Sequence, residues 1–203
     1  MDVVQSAVPD AFVVTPKQHR DERGVFLECY RSDFLADALG YSLSLRQANC
    51  SVSAAGVLRG IHSAGLPPGQ AKYVTCVQGA VLDVIVDIRV GSPTFGQWDS
   101  VRLDDRDRKA VYISEGLGHA FISLTDGATV FYMCSDVYSP NREFGINALD
   151  PEIGIEWPQN LKPNLSPKDE AAPMLDEAAA AGILPSFDDC QAHYRALAST
   201  SKA

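Results

Sequence analysis

Arg59, His62 and Lys72 stand within fourteen residues of one another, with Gln47 and Asn49 just upstream, in RQANCSVSAAGVLRGIHSAGLPPGQAKYV. Histidine titrates close to neutral pH and moves protons, while arginine and lysine hold anions or steady a developing oxyanion. Together these residue types suit proton transfer beside a bound negative group. Strand alternation places Gln47, Asn49 and Ser51 on one face. Arg59 and His62, three positions apart, share a face only if a bulge or turn at Gly60 re-aims the chain. Each residue alone also has an ordinary reading. His62 reads as a hydrogen-bonded core or surface histidine, Lys72 as a solvated strand lysine, and Tyr132 as packing in a β core.

The elements that must position these groups are strands. From Tyr73 to about Tyr138, short β-rich runs alternate with turn signals: YVTCV, AVLDVIVDIRV, WDSVRL, AVYIS, HAFISL and ATVFYMCSDVY. Gly79, Gly91-Ser92-Pro93, Asp104-Asp105 and Asp126-Gly127 punctuate them at the spacing of a sandwich or barrel. This pattern predicts an all-β antiparallel jelly roll. In VLDVIVDIR the apolar face of Leu82, Val84, Val86 and Ile88 lies opposite Asp83, Ile85, Asp87 and Arg89, which predicts a half-buried strand. Helices are expected at the periphery. SDFLADALG suits a short helix stopped by Gly40, EAAPMLDEAAAAGILP a helix stopped by Gly182, and DCQAHYRALAS a second short tail helix. The reading is a single domain over residues 1–203, with a β core at about 10–158 and a helical tail at about 159–198 packed on it. The final STSKA is expected to fray.

Composition narrows the function classes. With 17 basic and 26 acidic residues the net charge is −9, so binding to nucleic acid or an anionic membrane is disfavoured. No run approaches the roughly 20 apolar residues of a membrane span, and MDVVQSAVPDAFVV lacks the features of a secretory signal. A cytoplasmic location is the expectation. Cys29, Cys50, Cys76, Cys134 and Cys190 form no CxxC pair and are expected to be buried free thiols.

Several motifs then act together. RDERGVFLE, GVLRGIH, PPGQAKYV, VLDVIVDIRVGSPTFGQW, GHAFISL, FYMCSDVYSP and LDPEIGIEWP closely resemble the dTDP-4-dehydrorhamnose 3,5-epimerase family, in order, from about Arg20 to Asp169. The resemblance implies a dimeric, cupin-type jelly roll acting on a dTDP-linked 4-keto-6-deoxy sugar in deoxysugar biosynthesis, without cofactor or metal. It implies His62 as the base, Asp169 as its carboxylate partner, Tyr132 as the acid and Lys72 as the partner of the C4 oxygen. Asp169 also reads as an N-cap of the tail helix. Asp150 is a weaker rival for the pairing and reads better as a turn residue. Tyr138, six residues beyond Tyr132 at the same strand parity, is a second acid candidate. Arg59 and Arg23 correspond to phosphate ligands, Phe26 and Glu28 to base contacts reaching across a homodimer with exchanged N-terminal strands, and Gln47 and Asn49 to sugar or base contacts. His119, Glu143 and Lys168 complete the implied pocket.

The sequence departs from full 3,5-epimerases directly after His62, where Ser63 and Ala64 replace an aromatic residue and glutamine, so a smaller pocket wall is expected there. Some relatives in antibiotic-sugar pathways epimerise C3 alone, and PPGQAKYVTCV with SPTFGQWDSV looks more like those. The fate of C5 stays open. Three other readings compete: a metal-dependent cupin, for which His62 lacks an HxH partner; a non-catalytic sugar-nucleotide binder; and a ketoisomerase on the same substrate.

Overall fold

The computed structural model describes residues 1–200. In chain order its strands are β1 (Asp2–Gln5), β2 (Ala11–Thr15), β3 (Gln18–Asp21), β4 (Gly24–Leu27), β5 (Gln47–Ser53), β6 (Leu58–Ala64) and β7 (Lys72–Gln78). They continue with β8 (Ala80–Val86), β9 (Trp98–Asp104), β10 (Ala110–Ile113), β11 (Gly118–Ser123), β12 (Ala128–Cys134) and β13 (Glu143–Gly145). The helices are α1 (Ser32–Leu39), α2 (Pro167–Glu170), α3 (Leu175–Ala180) and α4 (Phe187–Thr200).

The strands form a six-stranded sheet, β1-β2-β10-β7-β12-β5, and a five-stranded sheet, β13-β6-β11-β8-β9, with β3 and β4 as a separate hairpin. Val74, Val111, Ile113 and Val130 of the first sheet pack on Val81, Ile85, Leu103 and Phe121 of the second. Two antiparallel sheets enclosing one core make the jelly roll that the turn spacing predicts. Gly40 ends α1 in the left-handed conformation, as read from the sequence.

Four expectations need correction. The strand over VLDVIVDIR is buried on both faces, not half buried. Its mixed face, with Asp83 and Ile85, turns into the sandwich, while Val84 and Val86 face outward under Leu175 and Ala178 of the tail. Tail packing is a long-range event that alternation alone does not encode. Second, β12 stops at Cys134, so Tyr138 lies beyond the strand and is 58% exposed. Third, Ser166 rather than Asp169 caps α2, its hydroxyl accepting from the Asp169 amide at 3.1 Å. Fourth, Cys29 and Cys50 are exposed, whereas Cys76, Cys134 and Cys190 are buried free thiols.

The second tail helix, α4, is a full 14 residues and includes Ser199 and Thr200; the rest of the fraying expectation, residues 201–203, lies outside the described residues. Regular structure starts ahead of residue 10, since β1 pairs with β2. Among the described residues no helix is long and apolar enough to cross a membrane.

Beneath α4 lies a buried charge cluster. Arg89 is fully buried, donates to Asp87 through Nε at 2.9 Å and a terminal nitrogen at 2.8 Å, and reaches Asp10 at 2.5 Å. Ser92 and Thr94 donate to Asp87, Gln191 donates to Asp10, and the Phe187 ring lies 5.0 Å from the guanidinium. The cluster ties the N-terminal segment, the exit of β8 and the tail together.

Candidate active site

The inner faces of both sheets converge on one pocket lined by Ser51, Arg59, His62, Lys72, His119, Phe121 and Tyr132, with a cavity volume of about 150 Å³. Arg59 and His62 come from β6 and His119 and Phe121 from β11, whereas Ser51, Lys72 and Tyr132 come from β5, β7 and β12 of the opposite sheet. The base candidate and the acid candidate therefore face each other across the cavity.

The re-aiming required at Gly60 is present. His62 pairs with His119 and Arg59 with Phe121, so Gly60 and Ile61 together stand opposite Ala120 alone. This two-against-one bulge brings residues three apart to the same face. Gly60 has φ +107°, and a Cβ there would lie 2.4 Å from the His119 carbonyl oxygen, so the bulge admits only glycine.

His62 Nε2 lies 2.6 Å from Asp169 Oδ1, and Asp169 is 6% exposed. Burial raises the Asp169 carboxyl, but the hydrogen bond and charge of His62 and the Ser166 hydroxyl outweigh it and hold the group below the usual carboxylate range. An ionised Asp169 accepts a proton on Nε2 and leaves Nδ1 as the acceptor. Asp150 is not part of this pairing: it accepts the Glu152 and Leu175 amides and anchors a turn to α3.

Lys72 is nine-tenths buried, and burial pulls its ammonium below the ordinary lysine value against the opposing charges of Glu143, Cys134 and Asp83. Burial raises the Tyr132 phenol, which keeps it protonated and able to donate. A second histidine–carboxylate pair sits beside the first. His119 Nε2 is 2.8 Å from Asp83 Oδ2, with Asp83 fully buried and its carboxyl raised by that burial. Asp83 and Phe121 were not singled out from the sequence. A carboxylate in an otherwise apolar strand was the available signal for Asp83, and parity with His119 the signal for Phe121.

The other expected residues fall into two groups. Gln47 and Asn49 sit on the same face of β5 as Ser51, donate and accept one shared hydrogen bond of 2.8 Å, and lie opposite Cys134 and Tyr132 of β12. Glu143, opposite Ala64, adjoins Lys72 electrostatically. In contrast, Arg23, Phe26 and Glu28 lie on or beside the β3–β4 hairpin, with Phe26 69% exposed and Arg23 paired to Asp21, and they do not line their own chain's pocket. Lys168 is exposed on α2, and the Tyr138 amide donates to Gln47 at 2.8 Å. Ser63 does not form a pocket wall: it is buried and donates to the Leu117 carbonyl at 3.0 Å. Ala64 remains the small residue on that side, next to Glu143.

Among the described residues no group of three His, Cys, Asp or Glu side chains is arranged to hold a metal ion. A cupin-like jelly roll with a histidine–carboxylate pair on one wall and a protonated tyrosine on the other defines an acid–base enzyme. The chain belongs to the dTDP-4-dehydrorhamnose 3,5-epimerase family, whose model matches residues 5–177. It is 54% identical over 197 residues to the dTDP-4-dehydrorhamnose 3,5-epimerase of Mycolicibacterium smegmatis, covering 97% of each chain. It is 56% identical over 179 residues to the dTDP-4-dehydrorhamnose 3-epimerase of Streptomyces niveus, covering 88% of this chain and 86% of that one. The solved structure of a 3'-monoepimerase from Streptomyces bikiniensis in complex with dTDP-quinovose matches with a TM-score of 0.92 at 46% identity, covering 95% of this chain and 97% of that one.

Proposed function

We propose that this protein inverts C3 of a dTDP-linked 4-keto-6-deoxyhexose. His62 Nδ1 removes the C3 proton, and the electron pair moves into a C3–C4 enolate whose oxygen is met by the Lys72 ammonium. The Tyr132 phenol returns a proton to C3 from the opposite face, and solvent restores both side chains. Arg59 holds the diphosphate through charge-assisted hydrogen bonds, and Gln47, Asn49, His119 and Glu143 contact the sugar. The steps need neither metal nor cofactor. The observation that carries this reading is the 2.6 Å His62–Asp169 pair facing Tyr132 and Lys72 across one cavity.

The relatives divide between 3,5- and 3-epimerases. One base and one acid serve both carbons only if the ring re-seats to bring C5 to His62, and the small Ala64 beside Glu143 holds that second pose less firmly. Incubated with dTDP-4-keto-6-deoxyglucose in D2O, the enzyme is expected to place deuterium at C3 faster than at C5. Equal, simultaneous labelling by NMR would defeat the C3 preference.

The active form is a homodimer with exchanged N-terminal segments. Phe26 leaves 69% of its surface in water on a hairpin that joins neither sheet, and a two-fold exchange covers it while completing both sites. The partner subunit's Phe26 and Glu28 then meet the thymine, and the partner subunit's Arg23 the diphosphate; Lys168 and Tyr138 are assigned to further substrate contacts. Sedimentation at micromolar concentration is expected to show a dimer, and an active monomer would contradict it.

A further inference from the structure

Glu115 lies in the turn between β10 and β11, outside the catalytic pocket, and is 4% exposed. It joins three parts of the chain. Its backbone carbonyl accepts the Tyr194 hydroxyl of α4, and His193 Nε2 of the same helix is 3.9 Å from its Oε1. That Oε1 accepts the Ser135 hydroxyl at 3.1 Å. The Ser135 hydroxyl in turn accepts the Ala71 amide at 2.8 Å, and the Ser135 amide donates to the Ala71 carbonyl at 3.0 Å. The loop before Ala71 is pressed on the same side chain: at Gly69, with φ +69°, a Cβ would lie 2.7 Å from Glu115 Cβ.

Ala71 directly precedes Lys72, the first residue of β7, which pairs with Cys134 immediately before Ser135. A hydroxyl has one proton to give. With that proton committed to Glu115, the Ser135 oxygen is oriented to accept from Ala71. Without the carboxylate the hydroxyl is free to rotate, and Ala71 keeps only the backbone bond from the Ser135 amide of its two bonds to Ser135. Packing alone would be better served by an apolar side chain, because a buried carboxylate costs stability and only Oε1 of the Glu115 carboxylate is hydrogen-bonded, its Oε2 being buried without a partner.

We propose that Glu115 is a positioning residue for Lys72, acting through Ser135 and the Ala71 backbone to fix where the ammonium meets the substrate oxygen. This rests on the reading of Lys72 as the partner of the C4 oxygen. α4 belongs to the device because Tyr194 holds Glu115 from behind.

The test is a double-mutant cycle with dTDP-4-keto-6-deoxyglucose, reading kcat and KM of C3 exchange. Misplacement of a catalytic group by about 1 Å costs on the order of 100-fold, so Glu115→Ala is expected to lower kcat roughly 10- to 100-fold with KM within about three-fold. Glu115→Gln keeps an acceptor for the Ser135 hydroxyl and is expected to restore kcat to within about three-fold of the wild type. In a Lys72→Ala background, Glu115→Ala is expected to cost less than about three-fold more, because the group it positions is already gone. Ser135→Ala leaves the α4 clamp intact, is expected to repeat the pattern, and decides the matter if Glu115→Ala does not fold. Equal losses in both backgrounds would make the role merely structural and overturn the proposal. A Lys72→Ala enzyme with nearly normal kcat would instead overturn the reading of Lys72, and the proposal with it.

Discussion

His62→Asn is expected to slow C3 proton exchange by about 1,000-fold or more while leaving the protein folded, since a positioned general base supplies about 100- to 10,000-fold. Asparagine fills a similar space but has no ring nitrogen to take the proton. The His62 side chain is 37% exposed at the pocket, so its replacement removes little packing. Asp169→Asn is expected to act in the same direction. An amide at that position no longer favours the tautomer with Nδ1 unprotonated and no longer stabilises the imidazolium. Rates of deuterium uptake, with circular dichroism as the check on folding, read both variants. Substantial exchange by folded His62→Asn would move the base role elsewhere.

The second large effect is on stability. Arg89→Met keeps an apolar stem but leaves Asp87, which is fully buried, and Asp10 without their cation. Removing one partner from a buried charge cluster costs about 3–5 kcal/mol, against a total stability of about 5–15 kcal/mol for a domain. The denaturant midpoint at pH 7 is expected to fall steeply, and a change below about 1 kcal/mol would show the cluster to be dispensable. The same cluster fixes an acid limit. Burial raises the Asp87 carboxyl, but Arg89, Ser92 and Thr94 outweigh it, so its folded value lies below the ordinary one of 3.8. A group depressed on folding stabilises fully above its unfolded pKa. Its contribution is therefore present above about pH 4 and is lost as pH falls through the lower folded value.

Much of this was legible in the sequence because short-range rules carry it. The β runs and their turns specify the jelly roll, and parity places Gln47, Asn49 and Ser51 together. Three apart, Arg59 and His62 share a face only through a bulge or turn at Gly60, and the structure has a bulge there. What escaped depends on contacts between distant segments. The outer face of β8 is buried because a tail about ninety residues later covers it. His119 finds Asp83 across adjacent strands, a pairing fixed by register rather than by local pattern. The family resemblance, not local pattern, set Asp169 above Asp150 as the partner of His62, and only the docked tail brings one to His62 and the other to an α3 amide. Ser63, expected to shape the pocket, is turned away by the alternation that directs His62 into it.

The central claim is that the proton leaves toward one sheet and returns from the other, and Tyr132→Phe in D2O tests it most directly. With the base intact and the opposing donor removed, C3 is expected to exchange its proton for deuterium while keeping its original configuration, detected as label in recovered starting sugar. Deuterated, inverted product formed at the wild-type rate by this variant would show that the acid is not Tyr132 and would contradict the two-walled account.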